Sequence, residues 1–91
     1  MNASSAQDAA HREIDALARR AGWSDAARAD AHGIIEIVAA GTTGPREIGN
    51  RYRALARSLD RNSRARLWQA IRRVARSGLR TLLDGVYRNV L

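Results

Sequence analysis

Ninety-one residues, no cysteine and a net charge of +7 narrow the possibilities quickly. The length admits one domain over 1–91, and the missing cysteine excludes disulfides and thiolate metal sites. No apolar stretch approaches the roughly 18 residues needed to span a bilayer. The start, Met1-Asn2-Ala3-Ser4-Ser5-Ala6-Gln7-Asp8, lacks the basic and apolar regions of a secretory signal, so a cytoplasmic protein is expected.

The core is thin for the charge it carries. Ile, Leu and Val contribute 6, 8 and 4 residues and Phe none, near the composition at which high net charge favours disorder. Eighteen alanines favour helix and allow close helix packing. A marginal monomer, stabilised by a second copy or a partner, is the expectation, hence a homo-oligomer. All 16 basic residues are arginine. With alanine so abundant, a GC-rich coding genome explains that choice better than selection for bidentate contacts does, so placement carries the information. Residues 1–45 hold four Arg against six acids, a net of −2, whereas 46–91 hold twelve against three, a net of +9.

In chain order, the pattern predicts an all-α bundle of four to five short helices, with residues 1–4 disordered. The first, about 5–21, has a capping-box form at Ser5–Asp8, Gly22 beyond its end, and Ala10, Ile14, Leu17 and Ala21 on one stripe. The second, about 24–40, starts at Ser24 and buries Ala27, Ala31, Ile34, Ile35 and Val38, with Ile37 widening the arc. Gly33–Val38 also reads as a short β-branched strand, but no second strand candidate exists to pair with it, so helix is preferred. Gly41-Thr42-Thr43-Gly44 is a loop, and Pro45 suits the first position of a third helix, about 45–59. That helix should bury Ile48, Tyr52, Leu55 and Leu59. Asp60-Arg61-Asn62 makes a turn into a fourth, about 63–77, which buries Leu67, Ala70, Ile71 and Val74. A fifth, about 79–90, should bury Leu79, Leu82, Val86 and Val90, with Gly78 either breaking or kinking the preceding helix.

The clearest functional pattern lies in the third and fourth segments. On a wheel with Leu67 at zero, the arc from roughly 140° to 260° carries Arg66, Arg72, Arg73, Arg76 and Arg80 and no acid. Arg46, Asn50, Arg53 and Arg57 line the face of the preceding helix opposite its apolar stripe. Five other arginines follow an acid by four residues: Asp8–Arg12, Asp15–Arg19, Glu47–Arg51, Asp60–Arg64 and Asp84–Arg88. Such pairs stabilise a helix locally and need no partner. A merely solvated face usually mixes signs, so the acid-free arcs are read as a binding surface, with Trp68 at its border either as a stacking or contact residue or, the commoner case for an amphipathic Trp, as part of the core edge. Few aromatics argue against single-strand recognition by stacking.

Ile48, Tyr52 and Leu55, then Asp60-Arg61-Asn62-Ser63 and Ala70-Ile71, resemble the two helices of the ribbon-helix-helix repressors. That resemblance implies a DNA-reading strand directly before Ile48, where this chain has Ala40-Gly41-Thr42-Thr43-Gly44. His11 with Asp15 and His32 with Glu36, each at i, i+4, have metal-ligand spacing, but a histidine beside its neighbouring carboxylate is the plainer reading. No phosphate-binding loop or nucleophile motif is present. No cofactor, metal or small-molecule substrate is therefore expected, nor catalysis or membrane association. The expectation is a non-enzymatic regulator that binds nucleic acid through Arg46, Arg53, Arg57, Arg66, Trp68, Arg72, Arg73, Arg76 and Arg80. The alternative is a protein-binding module (inhibitor, adaptor or accessory protein) whose basic helices dock on an acidic partner.

Overall fold

The computed structural model describes residues 3–90, with the side chains of 6–76 and 78–85. Among them are five helices: α1 (Ala3–Ala21), α2 (Asp25–Ala40), α3 (Pro45–Ala56), α4 (Arg61–Val74) and α5 (Ser77–Val90). No strand occurs among the described residues, so the ribbon-helix-helix resemblance extends to neither the strand nor its DNA contact. Ala3 and Ser4, expected to be disordered, already belong to α1, and Ser5 falls inside its first turn rather than at a cap.

The helical reading of 33–39 holds for a physical reason. Ile34, Ile35 and Val38 are all buried and Ile37 is partly so. A strand would send Ile34 and Ile35 to opposite faces, whereas a helix gathers them on one wide arc. That arc is used fully, because α2 packs against α1, α3 and α4. Ser24 caps its start, its hydroxyl accepting from the Ala27 N–H at 3.1 Å. Gly41, at φ 72°, ends it in the left-handed conformation that glycine adopts without Cβ strain. α1 ends in the same way: Gly22 has φ 69°, and the Trp23 N–H reaches the Ala18 carbonyl at 3.0 Å, closing a Schellman turn.

Several boundaries and faces differ from expectation. α3 stops at Ala56 because the chain tightens: Ser58 N–H bonds Leu55 O and Leu59 N–H bonds Ala56 O, with Leu59 still buried. α4 begins earlier than expected because Asp60, not Asn62 or Ser63, is its N-cap, accepting from Ser63 N–H at 3.3 Å. The α4–α5 break lies at Ala75, whose ψ of 137° is extended, and Gly78 sits in the first turn of α5. In α1 Ala18 is buried and Ala21 exposed. In α5 Leu83 is buried while Leu82 is 57% exposed. Leu79 and Leu83, one turn apart, face inward as α5 packs on α3, which turns Leu82 outward. The expected burial of Val86 and Val90 lies outside the described side chains.

The core joins Ile14, Ile35, Ile48, Leu67, Ile71 and Leu83, one or more from each helix and none more than 2% exposed. Burying each stabilises by about 1.5–3 kcal/mol. Trp23 packs at its edge and donates its indole N–H to the buried Ser63 hydroxyl at 3.1 Å. No described helix is long and apolar enough to cross a membrane.

Candidate nucleic-acid interface

The structure divides the expected site residues into two groups. Arg46 and Arg53 are exposed on α3 and Arg57 at its C-cap, while Arg73 is exposed in the last turn of α4 and Arg76 in the link that follows it. None of the five has an ion-pair partner among the described residues. Asn50 stands exposed between Arg46 and Arg53, so one side of α3 is cationic from its first turn to its last.

The other four are occupied in holding the fold. Arg66 reaches Glu13 of α1 at 3.3 Å. Arg72 makes a bidentate pair with Asp84 of α5, at 3.0 and 3.2 Å. Arg80 donates to the carbonyls of Arg72 and Ala75 at 2.9 and 3.1 Å, satisfying acceptors that the end of α4 leaves open. Trp68 is 5% exposed and lies against Tyr52, ring centroids 5.2 Å apart. A stacking role for Trp68 on a partner is thus corrected, since its ring is spent on the core. The wheel shows α4 free of acids only within its own sequence, and other helices supply Glu13 and Asp84.

Nothing matches this chain among protein-family models, curated proteins or solved structures.

Local pairing is likewise mostly replaced by pairing between helices. Of the i, i+4 pairs, Glu47–Arg51 forms, at 3.2 Å, while the Arg88 side chain lies outside the described residues. Asp15 turns from Arg19 to Arg28 and His32 on α2, at 2.8 and 2.7 Å. Asp60 caps α4 instead of pairing with Arg64. Arg64 and its neighbour Arg61 therefore stay exposed without a carboxylate among the described residues. Both therefore add to the exposed arginines of α4, from which the spacing rule had removed Arg64. The signal was present in the sequence, since an Asp just ahead of an apolar-periodic run is a preferred N-cap.

The acids of this half are consequently all engaged: Glu47 with Arg51, Asp60 at the α4 cap and Asp84 with Arg72. Hydrogen bonds from the Ser63 hydroxyl and N–H hold the Asp60 carboxyl below its ordinary value of 3.8. Those from His32 and then Arg28 do the same for Asp15. A shallow groove of about 240 Å³ runs between α2 and α3, lined by Ala29, Asp30, Gly33, Ile34, Arg51, Ala54 and Leu55. It is small against the ~300–1,000 Å³ of typical ligand pockets.

Proposed function

We propose that this chain is a small regulatory protein that binds nucleic acid through phosphate contacts from the exposed arginines of α3 and α4. One observation carries the reading. The acidic side chains of the described C-terminal half, Glu47, Asp60 and Asp84, are all engaged within the fold, while Arg46, Arg53, Arg57, Arg61, Arg64, Arg73 and Arg76 are exposed with no carboxylate partner among the described residues. Uncompensated guanidinium groups repel one another, and a polyanion relieves that repulsion while releasing its own condensed counterions. Guanidinium also matches a phosphate with two parallel hydrogen bonds. With Trp68 and Tyr52 buried, stacking on bases contributes nothing from α3 and α4. Binding should therefore depend on the backbone and show little sequence preference.

The test is anisotropy with a labelled duplex of arbitrary sequence, in salt from about 50 to 200 mM. Four to six neutralised phosphates give a log–log salt slope of about −4 to −5. Exchanging Arg53 and Arg73 for Glu, one on each helix, should weaken binding more than tenfold and flatten that slope, with the helical circular dichroism unchanged. A shallow slope with no retained nucleic acid overturns the reading. Loss of a specific acidic protein partner by the same variant would then favour the protein-binding alternative.

A further inference from the structure

The α1–α2 seam holds both histidines of the chain, and their hydrogen bonds fix how many protons they carry. His11 Nε2 lies 3.0 Å from Glu36 Oε1, and His32 Nε2 lies 2.7 Å from Asp15 Oδ1. An ionised carboxylate only accepts, so each Nε2 donates an N–H. The two Nδ1 atoms face each other at 2.6 Å. Bare, they would set two lone pairs against each other; both protonated, they would set N–H against N–H. A single hydrogen between them satisfies both rings. Three hydrogens on four ring nitrogens make one imidazole and one imidazolium, joined by a short, charge-assisted bond.

The surroundings match that count. Glu36 and Asp15 are bonded to the rings, and they accept in turn from Gln7 at 2.7 Å and Arg28 at 2.8 Å. One positive charge on the rings and one on Arg28 balance the two carboxylates. Of the other helices packed here, α4 meets both α1 and α2 and carries Arg66, held by Glu13. α3 meets α2 and carries Arg51, held by Glu47. The histidine side chains are 24% and 27% exposed, so the pair exchanges protons with solvent.

We propose that His11 and His32 form a one-proton latch that clamps α1 to α2 near neutral pH and loosens when the pair either gains or loses a proton. Loss of the shared proton leaves two Nδ1 lone pairs in opposition, and a second proton leaves two N–H groups in opposition. In both cases the rings must part, and with them the two helices. Proton counting sets the direction of each limb. In the unfolded chain the histidines are independent and hold one proton between them, on average, at about pH 6.5. Above that pH the unfolded chain holds fewer protons than the latch, so stability falls as pH rises. Below it the unfolded chain holds more, so stability falls as pH drops. Histidine is the side chain whose ordinary charge change lies in this range, and the chain has no histidine outside the pair.

The experiment measures urea unfolding of the full chain by circular dichroism between about pH 5 and 8, with nitrogen-15 spectra of the imidazoles recorded near pH 6.5. The expected result is a stability maximum near that pH, the folding constant falling by up to about tenfold per pH unit on either side. The spectra should show both Nε2 atoms protonated and one hydrogen shared by the two Nδ1 atoms. His32→Gln leaves a single ring and should abolish the maximum while keeping the helical spectrum. If that variant does not fold, the spectra and the profile of the unaltered protein decide. A flat profile, the same maximum in His32→Gln, or two bare Nδ1 atoms overturns the proposal.

Discussion

The two halves of this molecule treat charge in opposite ways. Along the α1–α2 seam, Gln7, Glu36, His11, His32, Asp15 and Arg28 form one hydrogen-bonded chain between two helices. Each carboxylate there serves two donors. In α3–α5, Asp84 and Glu47 each serve one arginine, Asp60 serves a helix end, and arginines remain over. The difference teaches that a charge's role follows from what its face meets. Arg72 and Arg73 are adjacent and chemically identical, yet Asp84 of α5 comes within reach of the first and leaves the second exposed.

The largest test of that comparison removes the element both halves lean on. Glu36→Pro in the middle of α2 deletes a helical hydrogen bond and clashes with the preceding turn, at about 3 kcal/mol or more. The cooperative thermal transition should be lost by circular dichroism, in both halves together. Retention of a sharp transition would mean that α2 is not shared.

Next in size is a contrast between two ion pairs. Asp84→Asn breaks the bidentate contact that ties α4 to α5 and should cost about 1 kcal/mol in urea unfolding. Glu47→Gln breaks a single contact within α3, both side chains 55% exposed, and should cost only about 0.2–0.5 kcal/mol. Equal losses would mean that the bidentate pair adds nothing beyond an ordinary surface contact.

Asp15 and Asp60 supply the smallest effect, one on each side of the comparison. Both are held below an ordinary value of 3.8. Above that value neither folded nor unfolded chain takes up a proton at these groups, and their stabilisation is complete. As pH falls through 3.8 toward the lowered folded values, the unfolded chain gains protons first, so stability falls with pH. Melting temperature should be insensitive to these groups above about pH 5 and decline below pH 4. Asp60→Asn should remove part of that decline.

Most of the fold was legible along the chain. The stripes Ala27-Ala31-Ile34-Ile35-Val38 and Ile48-Tyr52-Leu55 are buried as their spacing requires, since helical period and burial are both local. Ser24, Gly41 and Pro45 marked ends correctly for the same reason. Where neighbours decide, the sequence was silent. Leu82 and Leu83 are equally apolar, and only the packing of α5 on α3 selects the second. The candidate surface was legible in α3, whose exposed arginines Arg46 and Arg53 meet no carboxylate among the described residues. It was misjudged on α4, because Glu13 and Asp84 lie far away in sequence but close in space. The crossing of the histidine pairs, His11 to Glu36 and His32 to Asp15, was hidden likewise.

The corner between α4 and α5 also sets how freely its residues can drift. α1 and α2 end on glycines in the left-handed conformation, a backbone solution indifferent to neighbouring side chains. α4 ends at Ala75 in extended backbone, and the Arg80 guanidinium bridges the carbonyls of Arg72 and Ala75. A lysine ammonium is a point charge without that planar fork. For the stability of the fold, exchange of arginine for lysine is therefore close to neutral at Arg73 and Arg76, and disfavoured at Arg80 and Arg72. In a lineage whose codons moved away from GC, the fold alone would let the first two positions take lysine while the corner kept its arginines.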